Sequence, residues 1–154
     1  MKYICTLLVV EHMERSKQFY REVLGQEVVS DLGANVTLSC GLSLQTMDSW
    51  KQFTRLEQIS LGHNASELYF ETEDLDAFEE RLRPMPISYV HPVHQQPWGQ
   101  RAMRFYDPDG HIIEVGETMP SVVRRFLAQG LTLEEVAQRM DVPLEYLTND
   151  PQEP

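Results

Sequence analysis

Cysteine is scarce in this 154-residue chain: Cys5 and Cys40 are the only two, and they do not form a CxxC pair. That argues against a disulfide framework. Each lies in a short apolar, strand-like run, so both are expected as reduced, buried thiols. Basic side chains are also few, 13 Lys and Arg against 24 Asp and Glu, a formal charge of −11. Such a charge opposes binding to a nucleic-acid backbone or to anionic lipid. No apolar run approaches the roughly 20 residues of a membrane-spanning helix. Met1 to Val10 carries one lysine, is too short to span and lacks a signal-peptide cleavage pattern. A soluble, cytoplasmic protein with neither nucleic-acid nor membrane partners is expected, long enough for one sizeable core or two small fused units.

The patterning that is present repeats. Tyr3 to Val10 is apolar and of strand length, and Glu11 to Leu24 follows with Met13, Ser16, Phe19, Tyr20, Val23 and Leu24 at helical spacing. Gly25 suits a helix stop. Glu27–Asp31, Asn35–Ser39 and Leu42–Thr46 then read as three short strands, punctuated by Gly33 and Gly41. A second pass begins at Glu67: a strand to Thr72, a helix over Asp74–Leu82, and strands at Ile87–Val93, Arg101–Tyr106 and His111–Val115. Val10-Glu11-His12-Met13 aligns with Thr72-Glu73-Asp74-Leu75, and Gly41 with Gln45 aligns with Gly110 with Glu114. A repeat of this size predicts two similar modules packed together, each too small to bury its sheet face well.

The remaining segments are helical in pattern. Asp48 to Asn64, with Trp50, Phe53, Leu56 and Ile59, is expected as a helical bridge or a lid. Pro120–Ala128 predicts a helix stopped by Gly130. Thr132-Leu133-Glu134-Glu135 has capping-box spacing for a second helix to Met140, and Pro143 opens a short third. The expected domains are residues 1–117, made of module one (1–47), bridge (48–64) and module two (65–117), then a helical appendix over 118–148 and a frayed tail over 149–154. The appendix superficially resembles a helix-turn-helix. From Thr118 onward, however, it has three arginines, no lysine and six acids, so it is expected to pack on the domain or on a second subunit rather than read DNA.

Arg104-Phe105-Tyr106-Asp107-Pro108-Asp109-Gly110-His111-Ile112-Ile113-Glu114-Val115 is the most informative stretch. Proline presets φ, aspartate bonds its own backbone and glycine accepts φ > 0, so Asp-Pro-Asp-Gly is a turn inside a hairpin. On the second strand Ile112, Glu114 and Gly116 share a face, which leaves a carboxylate on an otherwise apolar strand.

With Glu14 to Gly25 (Glu-Arg-Ser-Lys-Gln-Phe-Tyr-Arg-Glu-Val-Leu-Gly) early, and Pro97-Trp98-Gly99-Gln100-Arg101 leading into Asp107-Pro108-Asp109-Gly110 late, residues 3 to 117 resemble the vicinal-oxygen-chelate superfamily of glyoxalase, bleomycin-resistance and extradiol-dioxygenase proteins. The resemblance implies an α+β fold in which two βαβββ modules form a curved mixed sheet around a cavity. It implies a homodimer, and one optional divalent ion (Zn, Ni, Mn or Fe) held on the first and last strand of each module, here Cys5, Gln45, Glu67 and Glu114. Metal-binding members commonly place histidine or a carboxylate where this chain has Cys5. A soft thiolate and a hard amide oxygen do not agree on one ion, so Glu67, Glu114 and Gln45 are the metal candidates.

Glu114 and Glu67 stand at repeat-equivalent positions. Two carboxylates in one poorly hydrated cavity need a cation, a basic side chain or a retained proton, and each solution can serve catalysis. The alternative is a structural ion pair, for instance with Arg101, or a solvated edge position. His91 titrates in a range suited to acid–base work; His94 and His63 are weaker candidates, and His12, at a helix start, is expected to be structural. Trp98, Gly99, Gln100 and Arg101 form a possible aromatic and cationic rim for a ligand, or else Trp98 covers a sheet edge. Trp50 carries the same ambiguity. The expected function is a glyoxalase-like lyase or isomerase acting on an oxygenated substrate through Glu114, Glu67 and His91, metal optional. A second reading is a non-catalytic protein that sequesters a small aromatic or cationic compound in the bleomycin-resistance manner.

Overall fold

A computed structural model gives the fold, described for residues 1–148. The frayed tail expected from Asn149 onward lies outside the described residues. In chain order the elements are β1 (Leu7–Val10), α1 (Met13–Leu24), β2 (Val28–Asp31), β3 (Asn35–Leu38), β4 (Ser43–Thr46), α2 (Met47–Thr54), β5 (Glu67–Thr72), α3 (Leu75–Leu82), β6 (Ser88–Gln95), β7 (Arg101–Tyr106), β8 (Ile112–Glu117), α4 (Met119–Ala128), α5 (Leu133–Met140) and α6 (Leu144–Thr148). The βαβββ order occurs twice and the class is α+β. Each module makes a four-stranded sheet of the same order, β1-β4-β3-β2 and β5-β8-β7-β6. In the first, β1 runs parallel to β4, with Val9 opposite Gln45, and β2, β3 and β4 are antiparallel. Among the described residues no helix is long and apolar enough to cross a membrane.

The chain divides into two compact units. One comprises Met1–Glu67 with Tyr106–Ile112, the other Leu68–Phe105 with the described residues from Ile113 onward. The tip of the β7–β8 hairpin thus belongs to the first unit, and its side chains explain why. The Asp109 carboxylate accepts from the Glu11 backbone N–H (3.1 Å), from Arg15 (3.1 Å) and from the Ser16 hydroxyl (3.0 Å). These donors lie at the start of α1, where the helix dipole favours an anion. Asp107 accepts from the Tyr20 hydroxyl (3.0 Å), from the backbone N–H groups of Asp109 (2.9 Å) and His111 (2.8 Å), and lies 2.8 Å from His111 Nδ1. Tyr20 is fully buried, and that burial, with the Asp107 charge beside it, holds its hydroxyl well above the ordinary tyrosine range. Gly110 has φ +87°, and a Cβ there would stand 3.1 Å from the Gly62 Cα, so the turn needs glycine for conformation and for space.

In the second unit α3 lies against one face of the sheet, with Phe78 stacked on Phe105 at 6.4 Å between ring centres. Pro92 lies within β6, an edge strand, the place in a sheet that tolerates proline. The helical appendix has its own apolar cluster of Val122, Phe126, Val136 and Met140. The Thr132–Glu135 capping box forms at the start of α5. Glu73 receives the Ser121 and Thr118 hydroxyls and the Arg124 guanidinium, which ties α4 to the start of α3.

Four expectations change. β1 begins at Leu7, because pairing with β4 starts only at Ser43; Tyr3 and Ile4 are exposed and Cys5 precedes the strand. Cys40 is exposed rather than buried, since it sits in the β3–β4 turn beside Gly41 (φ +84°), where the hairpin reverses. α2 stops at Thr54, where Arg55 adopts a left-handed conformation (φ 61°), so the bridge is not helical to Asn64. Strand β8 extends to Glu117 and not only to Val115. Tyr20→Phe, which takes one donor from buried Asp107, is expected to cost about 1–2 kcal/mol, and Asp107→Ala about 3–4 kcal/mol, because it orphans the Tyr20 hydroxyl and two backbone N–H groups. Urea denaturation checks both, and equal losses would contradict this ordering.

Candidate functional site

Alternation fixes what each strand of the second sheet presents. On β8, Ile113 and Val115 join the core face with Phe105 and Met103 of β7, so Glu114 and Gly116 point the other way, as does Arg104. Glu114 is buried at 6% exposure, and its carboxylate accepts a short hydrogen bond and ion pair from the Arg104 guanidinium. Burial of a carboxylate demands such a partner. Arg101, named above as an example of a structural partner, belongs to the opposite alternation. It makes a bidentate pair with Asp76 (2.9 and 3.0 Å) and also binds Glu117.

Arg104 also reaches His91, with Nη1 3.1 Å from Nε2. Guanidinium has only donors, so His91 Nε2 is the acceptor and the ring proton sits on Nδ1, which donates to the Pro92 carbonyl at 2.8 Å. Both nitrogens are engaged, in the neutral tautomer. Sequence reasoning named Glu114 and His91 but missed Arg104, the residue that joins them. Its place between Ala102 and Tyr106 in the β7 alternation was the available signal.

At the neighbouring end of this face, Tyr69 of β5 donates its hydroxyl proton to Glu71 (2.7 Å) and accepts from Gln100 Nε2 (2.8 Å). Partial burial and the Glu71 bond push the Tyr69 hydroxyl up to about 12, and the Glu114 charge adds to the effect. It therefore stays a neutral donor at physiological pH. Gln100 is buried; its other amide proton goes to the Glu117 carbonyl (2.7 Å) and its oxygen accepts from the Trp98 indole (3.2 Å). Trp98 is 43% exposed, Tyr69 49%. A Cβ on Gly116 would lie 3.0 Å from the Gln100 amide and 3.2 Å from the Tyr69 oxygen, so glycine is what lets this cluster close over β8. Tyr69 was legible from the Glu67, Tyr69, Glu71 alternation but was not singled out.

Glu117, also missed because β8 runs past Val115, is the most heavily bonded carboxylate here. It receives Arg101 Nε (2.9 Å) and backbone N–H (3.0 Å), and Arg125 Nε (3.0 Å) and Nη2 (2.8 Å). Burial works to raise its pKa, but the bonds from Arg125 and Arg101 outweigh it and hold the carboxyl below its ordinary range.

The first unit holds the other candidates. Gln45 is buried on β4, its oxygen accepting from Asn35 Nδ2 (2.8 Å) and its amide donating to Ser49. Glu67 opens β5 and is exposed; Trp50 is half-buried on α2. His63 Nδ1 accepts from the Ala65 N–H (3.2 Å), and His12 precedes α1 without capping it through its side chain.

A glyoxalase-like domain model matches residues 3–120. The chain belongs to the glyoxalase-like family of the vicinal-oxygen-chelate superfamily. A protein of unknown function from Agrobacterium tumefaciens str. C58 has 37% sequence identity and a TM-score of 0.71, over 77% of this chain and 95% of its own. A glyoxalase-related enzyme from Fulvimarina pelagi (20% identity, TM-score 0.66, 76% and 88%) and a glyoxalase/bleomycin resistance protein/dioxygenase from Nocardioides (22%, 0.60, 76% and 83%) share the fold. No curated protein matches.

Members of this superfamily often hold a divalent ion, and three of the four positions that the resemblance points to, Glu114, Gln45 and Cys5, do not fit one here. Glu114 is held by a guanidinium, the Gln45 oxygen already accepts from Asn35, and Cys5 stands outside β1 with its sulfur 3.6 Å from the Ser43 hydroxyl. Among the described residues no group of three or more His, Cys, Asp or Glu is arranged to hold a metal. In this glyoxalase-like chain a guanidinium occupies the role of counter-charge to Glu114.

Glu117→Gln is expected to lower stability at neutral pH by about 2–3 kcal/mol, the lower end for a buried pair because both arginines reach solvent. Since the folded-state pKa of Glu117 lies below its ordinary 4.5, its contribution is full above that value and is lost as the pH falls through the depressed pKa. The stability gap between wild type and Glu117→Gln, measured by urea melts from pH 7 to pH 3, should therefore narrow on acidification; a gap constant with pH would refute this role.

Proposed function

We propose that this glyoxalase-like protein binds a small, planar organic cation on the face of the second sheet that carries Tyr69, Glu114 and Arg104, and that it does so without a resident metal. One observation carries the proposal: Glu114, the carboxylate best placed for metal or proton chemistry, is committed to Arg104, which in turn engages His91. Such an array organises a surface. It leaves Glu114 engaged rather than free to take a proton from a substrate. Half-exposed Tyr69 and Trp98 supply aromatic faces on either side of Gln100, and exposed Glu71 supplies negative charge beside Tyr69. Aromatic faces with a nearby anion attract cations, and the net charge of −11 draws them toward the protein. The bleomycin-resistance reading of the sequence belongs to this class.

A second reading, a glyoxalase-like lyase or isomerase using Glu67 and Glu114, is favoured by one feature. Tyr69 is a neutral hydroxyl donor near Glu114, suited to bonding a substrate oxygen.

Fluorescence titration with 9-aminoacridine, a planar cation, against anthracene-9-carboxylate, of similar shape and opposite charge, separates the readings. The acridine is expected to bind and to weaken as salt shortens the Debye length, about 10 Å at 0.1 M; Glu71→Gln should cost roughly tenfold in affinity. The carboxylate should not bind. Absence of acridine binding, with turnover of a 2-oxoaldehyde–thiol adduct that disappears in Glu114→Gln, would establish the enzyme instead.

A further inference from the structure

The glyoxalase-like match ends at residue 120, near the start of α4, so the rest of α4 and all of α5 and α6 lie outside it. These helices grip one loop of the domain. Arg125 of α4 donates to the Gly99 carbonyl (2.6 Å), and Arg139 of α5 donates to the Pro97 carbonyl (2.7 Å). The Phe126 ring lies so close to Gly99 that a Cβ there would stand 2.4 Å from it, and Gly99 takes φ +95°. Both guanidinium groups stack on that same ring, at 4.9 and 6.0 Å from its centre. The turn between β6 and β7 is thereby held through two of its carbonyls and beneath its glycine.

The turn carries Trp98 and leads directly into Gln100. Each polar atom of the Gln100 amide is used: the oxygen by the Trp98 indole, the nitrogen by the Tyr69 oxygen and the Glu117 carbonyl. The amide cannot rotate without losing three hydrogen bonds. Because Gln100 donates to the Tyr69 oxygen, the Tyr69 proton must point elsewhere, and it points at Glu71.

We infer that Gln100 is a positioning residue that aims the Tyr69 hydroxyl, that Tyr69 is the ligand-contacting group of the second unit, and that the appendix acts on this site by clamping the Pro97–Gln100 turn. Tyr69 as a ligand contact rests on the binding reading above; the positioning of Tyr69 by Gln100 and the appendix does not. On this inference the appendix is part of the binding apparatus, although it contributes no side chain to the ligand face.

The test uses the full-length protein with tyrosine labelled at 13Cζ, the Tyr69 signal being assigned by its loss in Tyr69→Phe. Gln100→Leu and Arg139→Ala are compared with Arg83→Ala, a control on an exposed surface pair. Gln100→Leu and Arg139→Ala should both shift the Tyr69 signal and the Trp98 emission, while Arg83→Ala leaves them unchanged. For 9-aminoacridine, Tyr69→Leu, which removes the aromatic face, and Gln100→Leu, which leaves Tyr69 unaimed, should each weaken binding about tenfold, and the double variant should be little weaker than either. Gln100→Glu, which keeps the acceptor for Trp98 but loses the donor to Tyr69, should restore the Trp98 emission and not the Tyr69 signal. An unmoved Tyr69 signal in Arg139→Ala would overturn the role of the appendix. Fully additive losses in the double variant would overturn the positioning of Tyr69 by Gln100. If wild type fails to bind the acridine, the ligand role of Tyr69 falls together with the binding reading, and the two signals still decide the positioning claim.

Discussion

A carboxylate on the middle of a buried strand must be neutralised, and how Glu114 meets that requirement shapes the chemistry of the second unit. The partner comes from the adjacent strand, where Arg104 shares its alternation. A guanidinium brings five donors in a fixed fork, and a second branch of that fork sets the tautomer of His91. One choice of residue on β7 therefore decides the state of an acid, a base and the face between them. The field of Glu114 extends to Tyr69, where it helps to keep the hydroxyl protonated. A divalent ion and a guanidinium are alternative answers to the same electrostatic demand, but they leave different surfaces behind: the ion keeps coordination sites for substrate oxygens, whereas the guanidinium closes the carboxylate into a hydrogen-bonded array.

Much of the fold was legible in the sequence because its strongest signals are local. The two-fold strand-helix-three-strand pattern, the Gly25 helix stop, the Thr132 capping box and the Asp107–Gly110 turn all rest on near-neighbour chemistry. The resemblance to the glyoxalase-like family joined two motifs, the α1 segment and the late turn, without saying why they occur together. The hydrogen bonds supply the reason. Tyr20 meets Asp107 and Ser16 meets Asp109 across 87 and 93 residues, so the two motifs are halves of one buried polar network.

The site was less legible because its meaning depends on pairing and register. Alternation placed Glu114 on the correct face, yet choosing Arg104 over Arg101 requires knowing that β7 and β8 are neighbours and in which phase. Glu117 was invisible once β8 was ended at Val115, two residues short. Cys5 looked strand-bound from its apolar neighbours, but β4 offers a partner only from Ser43. Gln100 was noticed merely as part of a rim; its three amide bonds come from β5, β8 and the preceding turn, three segments far apart or irregular in sequence.

Arg104 stands to Glu114 as a metal ion would in other family members. Calorimetric titration of the metal-stripped protein with Ni2+, Zn2+ and Mn2+, for wild type and Arg104→Met, tests it most directly. Wild type should show no specific site, and Arg104→Met a marked loss of stability that Glu114→Gln partly relieves. Stoichiometric binding of one divalent ion by wild type, abolished by Glu114→Gln, would contradict it.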